Sequence, residues 1–340
     1  MQTAHAFPTR RLATHVVSSV VLAVMTVAAT LSVSQAAAPE WKPDRNVEFN
    51  VGSGVGGGSD TLARMLQAIW QAKGLVRPSV TVVNKPPSIA MSHVHQQAGN
   101  PHYVMIASTT FLTSHITGTS PLKYTEFTPI AALGEEPIIY SVRADSRLKS
   151  GKDLLEVFRK DPKELSVGIA AALGNHNHIA VALVMKEIGG DIKNLKVVVF
   201  DSSSKGMTAL LGGHVDLYAS SVDAPVPHIQ AGKARALAIA AEKRLRDELS
   251  TVPTWREQGV NVLASDIRFM VAPKGLTEPQ IAYWDDVFSK TIQSDEWRKF
   301  DSTGYAVPFY MNSRDTGKLL DARYNQHRAM LTELGLAKTP

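Results

Sequence analysis

Between an extended run, Asn46-Val47-Glu48-Phe49-Asn50-Val51, and a segment whose Leu62, Met65, Leu66, Ile69 and Trp70 recur at helical spacing lies one glycine-rich stretch. It reads Gly52-Ser53-Gly54-Val55-Gly56-Gly57-Gly58-Ser59-Asp60. The pattern is strand, glycine loop, helix, with Ser59 or Asp60 as the expected N-cap. Glycines let a ligand approach bare backbone, and a first helical turn offers unpaired N–H groups and a partial positive charge. The loop is therefore a cradle for an anion. Which anion it takes, and whether anything happens to it there, has to come from the rest of the chain.

Strand and helix patterns alternate almost throughout, which predicts an α/β fold with mostly parallel sheets. Strands are expected at Val80–Asn84, Tyr103–Ala107, Ile138–Val142, Ser166–Ala170, Lys196–Phe200, Asp216–Ala219, Arg235–Ala240 and Ile267–Ala272. A helix is expected over Ser88–Gln97, and Ser108-Thr109-Thr110 reads as a polar loop. The run Ile179–Ile188 is apolar nearly all round and stops at Gly189-Gly190, as a buried helix with a glycine C-cap would. Met207, Leu210 and Leu211 before Gly212-Gly213 repeat the device. Thr277-Glu278-Pro279-Gln280 resembles a capping box, and a last helix spans roughly Ser313–Leu334. At 340 residues the chain has room for two lobes. No flexible linker separates them, so extended segments near Tyr140–Val142 and Leu263–Ser265 are the expected crossings. Lobe 1 is then residues 37–141 with 265–340, and lobe 2 is residues 142–264. Together these make a two-lobed α/β architecture.

The N-terminus carries Arg10 and Arg11, an apolar run from Val16 to Val33, then Ser34-Gln35-Ala36. A positive region, an apolar core and a small-x-small exit describe a cleaved signal peptide over residues 1–36, so the mature protein is expected to be exported to the periplasm. Removing it takes the formal charge from +5 to +3, because the segment holds two arginines and no acid. So small a surplus, without Lys/Arg blocks, gives no reason to invoke nucleic acid. The absence of cysteine excludes disulfides, thiolate metal sites and Cys nucleophiles.

Gly52-x-Gly54-x-x-Gly57 satisfies the dinucleotide-binding fingerprint, but that fingerprint requires an acid at the end of the next strand. Here the strand ends Val83-Asn84-Lys85-Pro86, and the nucleotide reading is rejected. His176-Asn177-His178 lacks the partners of a metal site, so one histidine is expected to cap or pack while the other faces the cleft. No G-x-S-x-G elbow and no His/Asp/Ser spacing appears, so no catalytic residue, metal or cofactor is assigned. Instead several strands end in small hydroxyl or glycine residues. These are Gly56, Gly57, Gly58, Ser59 and Asp60; Ser108, Thr109 and Thr110; Gly174, Asn175 and His176; Ser202, Ser203 and Ser204; and Ser220 with Ser221. Loops at the carboxyl ends of parallel strands converge on one cleft. Many neutral donors and few titratable groups there suit binding and release of an anion better than turnover.

Four segments, in this order, resemble one family. They are Val55–Arg64, Leu211-Gly212-Gly213-His214-Val215-Asp216-Leu217, Pro227–Ala238 and Val252-Pro253-Thr254-Trp255-Arg256-Glu257-Gln258-Gly259. The family is the periplasmic solute-binding receptors of tripartite tricarboxylate transporters, also called Bug proteins. The resemblance covers essentially the whole mature chain and implies a periplasmic-binding-protein-like fold, two α/β lobes that close like a flytrap on a small carboxylate, delivered to integral-membrane permease subunits. It implies that Gly56–Asp60 and Ser108–Thr110 hold the ligand from lobe 1, with Gly174–His176 and Ser202–Ser204 facing them from lobe 2. Two departures stand out: Gly54-Val55 replaces the prolines before the glycine pair, and Pro87-Ser88-Ile89-Ala90-Met91 replaces a glycine-rich element. A monomer that is not an enzyme is the expectation. The alternatives are an exported hydrolase or lyase using Asp60 with His176 or His178, and a ligand-responsive partner of a sensor.

Overall fold

A computed structural model describes residues 1–3, 40–301 and 309–338, so all but the first three residues of the expected signal peptide lie outside the described residues. The chain divides into Met1–Glu40 and Trp41–Pro340, and every element among the described residues belongs to the second unit. In order these are β1 (Val47–Val51), α1 (Gly58–Ala72), β2 (Val80–Asn84), α2 (Pro87–His95), β3 (Tyr103–Ala107), α3 (Thr109–Ile116), β4 (Phe127–Arg143) and α4 (Gly151–Lys160). Then come β5 (Ser166–Ala170), α5 (His176–Glu187), β6 (Lys196–Phe200), α6 (Ser203–Leu211), β7 (Leu217–Ser221), α7 (Val226–Gln230) and β8 (Ala234–Ile239). The chain closes with β9 (Ser265–Pro273), α8 (Glu278–Ile292), α9 (Asp295–Asp301) and α10 (Ser313–Glu333).

The strands follow one another in space as β2-β1-β3-β9-β4-β7-β5-β6, with β8 on β4. Two sets share one plan. β1 lies parallel between β2 and β3, and β5 lies parallel between β6 and β7. In each, the chain leaves the central strand toward one neighbour and returns on the other side. The loops therefore part at the strand's carboxyl end and leave a crevice. The glycine loop follows β1 and the loop Ala171–Asn175 follows β5, so these crevices hold the stretches of interest.

Between the two sets the sheet is antiparallel. β9 runs against β3, and β4 runs against β9, β7 and β8, so the sheet is mixed rather than mostly parallel. The long strand β4 was expected only over Ile138–Val142. Its first part carries Pro129, Gly134 and Pro137, which read as breakers, and the register slips at Pro129/Ala131 and Ala132/Gly134. Bulges of this kind accommodate residues that cannot serve a regular ladder. β4 pairs with β9 as far as Pro137↔Ser265 and with β7 from Ile138↔Ser221 onward, so its partner changes between two adjacent residues.

The helices cover both faces. On one, Leu62, Leu66, Ile69 and Trp70 of α1 meet Trp284 and Phe288 of α8 across β1 and β3. Trp70 stacks on Phe49 at 5.3 Å and donates its indole N–H to Thr291 Oγ1 at 2.9 Å, so no polar atom of this large side chain is left unpaired. α5 explains its uniform apolarity: Ala180, Val181, Val184 and Met185 enter one core, while Ile179 enters another with Leu320 and Leu331 of α10. α3 and α4 were not expected. Ser108 opens α3, and Ser150 with Asp153 forms a reciprocal capping box at α4. No helix among the described residues is long and apolar enough to cross a membrane.

Candidate functional site

The first three backbone amides of α1, at Gly58, Ser59 and Asp60, have no hydrogen-bond partner among the described residues. Every helix begins with unpaired amides, and a side chain at the N-cap ordinarily takes one or two of them. Here the N-cap is Gly57, which has no side chain to do so; the expected caps, Ser59 and Asp60, lie inside the helix. Asp60 instead turns back to accept from Gly56 N at 2.9 Å and from Arg64 Nε at 3.1 Å. Burial works against its charge, yet these donors outweigh it and hold its pKa below the usual carboxylate range.

This open helix end faces a cavity of about 50 Å³, formed from both crevices. From the first come Gly52, Ser53, Gly57, Gly58 and Ser59, with Ser108 and Thr110. From the second come Ala170, Ala171, Asn175, His176, Asn177, Asp201, Ser202, Ser203 and Ser221. Ala171 has φ +69°, a left-handed conformation that a non-glycine residue adopts only under constraint, and it is the backbone that turns β5 into the cavity wall. The two sides touch: a Cβ placed on Gly54 would stand 3.3 Å from Ser202 Cβ, and one on Gly56 3.5 Å from Ser204 Oγ.

Six of the residues expected at the site do not line it. Gly56 is exposed on the rim and Asp60 is engaged as above. Thr109 donates its N–H to Asp266 Oδ1 at 2.8 Å and accepts from Ile267 N. Gly174 donates to His178 Nδ1 at 2.9 Å, which fixes that ring inside the fold. Ser204 lies against Gly56, and Ser220 Oγ bonds to the carbonyl of Ser221. Of those that do line it, several are engaged as helix caps: Ser108 Oγ accepts from Thr110 N, Asn175 Oδ1 from His178 N, and Ser202 Oγ from Lys205 N.

The cavity floor overturns the expectation of few titratable groups. Arg268 lines it, buried, with Nη1 2.9 Å from Ser59 Oγ and 2.8 Å from Asp266 Oδ2, and Nη2 2.8 Å from Glu136 Oε2. Asp223 completes the group, in which Arg268 and Asp266 line the cavity and Glu136 and Asp223 adjoin them. Its Oδ2 lies 2.2 Å from where a Cβ on Gly58 would stand, directly at the open end of α1. Burial opposes the guanidinium's charge, but Asp266, Glu136 and Asp223 outweigh it and raise its pKa. Burial, and then Glu136, push the Asp223 carboxyl up to about 7. Like charges 4 Å apart repel by about 4 kcal/mol at the effective dielectric near a protein surface, so three acids on one arginine leave the last of them poorly compensated. His176 Nδ1 stands 3.3 Å from Asp266 Oδ1; burial lowers its pKa, and Asp266 only partly opposes that.

Sequence reading missed Arg268, Asp266, Glu136 and Asp223. A signal existed: Asp266 and Arg268 alternate along an otherwise apolar strand, so both point to one face, where buried charge demands partners. Several polar atoms of the lining residues are unpaired among the described residues, Ser53 Oγ and Arg268 Nε among them. Thr110 Oγ1 and Asn177 Oδ1 belong to residues 6% and 2% exposed and have no hydrogen-bond partner among the described residues. A second cavity, of about 360 Å³, shares His176 with the first and is lined also by Thr109, Glu135, Arg323 and His327.

Comparison with known proteins is consistent over most of the chain. Residues 63–336 match the profile described as tripartite tricarboxylate transporter family receptor. A "UPF0065 protein in gbd 5'region" from Cupriavidus necator is 29% identical over 198 residues, and the chain spans only 58% of that relative's length. Among solved structures, an R. palustris protein with adipate matches with a TM-score of 0.80 at 24% identity, covering 87% of this chain and 99% of that one. MatC from Rhodopseudomonas palustris with bound malate matches with a TM-score of 0.74 at 22% identity, covering 85% and 99%.

Proposed function

This chain belongs to the tripartite tricarboxylate transporter receptor family, and on that premise we propose that it is an exported receptor that closes on a small organic acid and presents it to a membrane permease. The observation that carries the reading is the uncapped start of α1, whose three unpaired amides open into a cavity built from two strand-end crevices. A carboxylate satisfies such amides and meets the positive end of the helix dipole. We place the lobes at residues 37–141 with 265–340 and at 142–264. The start of β9 at Ser265 supports the second crossing, while β4 changes partner at Pro137/Ile138, four residues before the first bound. The contacts of Gly54 with Ser202 and of Gly58 with Asp223 then belong to the closed state.

Adipate and malate are named with receptors of similar fold, which makes small dicarboxylates the first ligands to test. The hydrolytic alternative gains no support, because Asp60 is held by Gly56 N and Arg64 outside the cavity lining and His178 is fixed by Gly174. The mature protein, freed of residues 1–36, is the material for the test. Its melting temperature and radius of gyration are measured against a panel of mono-, di- and tricarboxylates and aromatic acids. A ligand at 100 times its Kd adds about 2.7 kcal/mol to the folded state, a shift of several degrees. A panel in which no acid moves either quantity overturns the receptor reading.

A further inference from the structure

The cavity joins two features that a plain carboxylate cannot satisfy together. At one end are three unpaired amides, which ask for an acceptor bearing negative charge. Beside them are three carboxylates, Glu136, Asp223 and Asp266, against one guanidinium, Arg268. Two of the three are already within 2.8 Å of that guanidinium, so Asp223 has the weakest share of it. Asp223 Oδ1 is buried and has no hydrogen-bond partner, while Oδ2 rests at the very end of α1. A dicarboxylate would add negative charge to a site already in excess of it. Two further groups in the same wall, Thr110 Oγ1 and Asn177 Oδ1, are buried and can each accept a hydrogen bond that nothing in the protein donates.

We propose that the ligand is a zwitterion of the α-amino-acid kind, with its carboxylate on the amides of Gly58, Ser59 and Asp60 and its adjoining ammonium on Asp223. The two ligand groups sit one carbon apart, as the amides and the Asp223 carboxylate are neighbours across Gly58. Asp223 Oδ2 lies against Gly58 without taking the amides; a ligand carboxylate on those amides brings the adjoining ammonium beside Asp223. The remaining N–H donors of the ammonium reach Thr110 Oγ1 or Asn177 Oδ1. Asp223 is thus the specificity-determining residue, separating acids that carry a protonated nitrogen from acids that do not. This rests on the receptor reading and narrows its ligand class.

Titration calorimetry on the mature protein with matched pairs tests it: glycine against acetate, aspartate against succinate, glutamate against glutarate. The expected result is a preference of at least tenfold for the nitrogen-bearing member of one or more pairs. Asp223→Asn, which keeps the shape and removes the charge, should reduce that preference at least tenfold, and Asp223→Ser serves if the first variant does not fold. Native mass spectrometry of the freshly purified protein gives a second readout, since a ligand with one nitrogen has an odd nominal mass. Binding of the nitrogen-free acids as tightly as their partners, or an unchanged preference in Asp223→Asn, overturns the zwitterion and leaves the receptor standing. Binding of neither member of any pair, and of no carboxylate in the wider panel, overturns both.

Discussion

Helices α1 and α5 hold equivalent places. Each follows the central strand of a parallel three-strand set, and each starts at the crevice where that set parts. Their first turns differ completely. α5 is closed by its own chain, with Asn175 Oδ1 on His178 N at 3.0 Å and Asn175 Nδ2 on the carbonyl of Ala170. α1 begins after a glycine and leaves its amides open. Two helix ends with the same dipole therefore do different things: one stabilises the fold, the other is kept available. The electrostatic attraction of a helix end is general; on the proposed reading, the missing cap is what leaves the amides of α1 free to take a ligand.

The comparison can be broken most directly at Gly58. In Gly58→Ala the new Cβ would stand 2.2 Å from Asp223 Oδ2 and 2.8 Å from Arg268 Nη2, so both side-chain ends must shift within their ion cluster. Loss of about 1–3 kcal/mol of stability is expected, as for overpacking elsewhere, with ligand affinity reduced at least about tenfold in calorimetry. Wild-type affinity in this variant would remove the open end of α1 from the site. Asn175→Ala tests the other member of the pair. It strips a cap and unpairs a buried carbonyl, and denaturant unfolding should show a loss of about 2 kcal/mol. Affinity of the folded fraction should change less than about threefold. A large affinity loss without a stability loss would put α5 in direct contact with ligand and erase the distinction.

The charge resting at α1 gives a third measurement. The Asp223 pKa is raised to about 7 from 3.8, so between those values the folded state keeps a proton that the unfolded state has lost. Stability from this group therefore falls as pH rises through that window. His327 runs the other way. Burial, then Arg323 and His176, lower its pKa to about 4 from 6.5, so its contribution is lost as pH falls through that range. Unfolding of Asp223→Asn across pH should lose the fall between about pH 4 and 7 and keep the rise toward pH 6.5 that His327 and the other histidines lowered by burial contribute. A profile identical to the wild type would mean that Asp223 is not pressed into the cluster. The smallest effects belong to the remaining caps. Ser202→Ala should cost about 1 kcal/mol and Ser108→Ala, whose bond is 3.3 Å, about 0.5 kcal/mol, each with little change in affinity.

These caps also show what sequence could and could not convey. Serines and asparagine at strand ends were correctly located at the crevices, but an oxygen that accepts a backbone N–H caps a helix and binds a ligand by the same chemistry. Only the partner distinguishes the two. The glycine loop was legible as a strand-to-helix turn, but its openness was not, since Ser59 or Asp60 was expected as the cap and Gly57 holds that place. The acidic floor was not, since Glu136 and Arg268 meet across 132 residues and Asp223 arrives from a third segment. The first half of β4 was hidden by its own prolines, whose effect is absorbed by bulges that only the pairing with β9 reveals.

That pairing bears on what can be done with the molecule. β4 is one strand in two ladders, with Phe127–Pro137 on β9 and Ile138–Arg143 on β7 and β8, and no residue separates the two. A fragment cut at this point would carry half a strand and bare the edge that the other half had covered. Unpaired edges of this kind recruit other chains. Neither half is thus a fragment to express alone, and a reporter or tether is better inserted at an exposed turn such as Gly74 or Gly189, where a side chain would meet no neighbour within 4 Å.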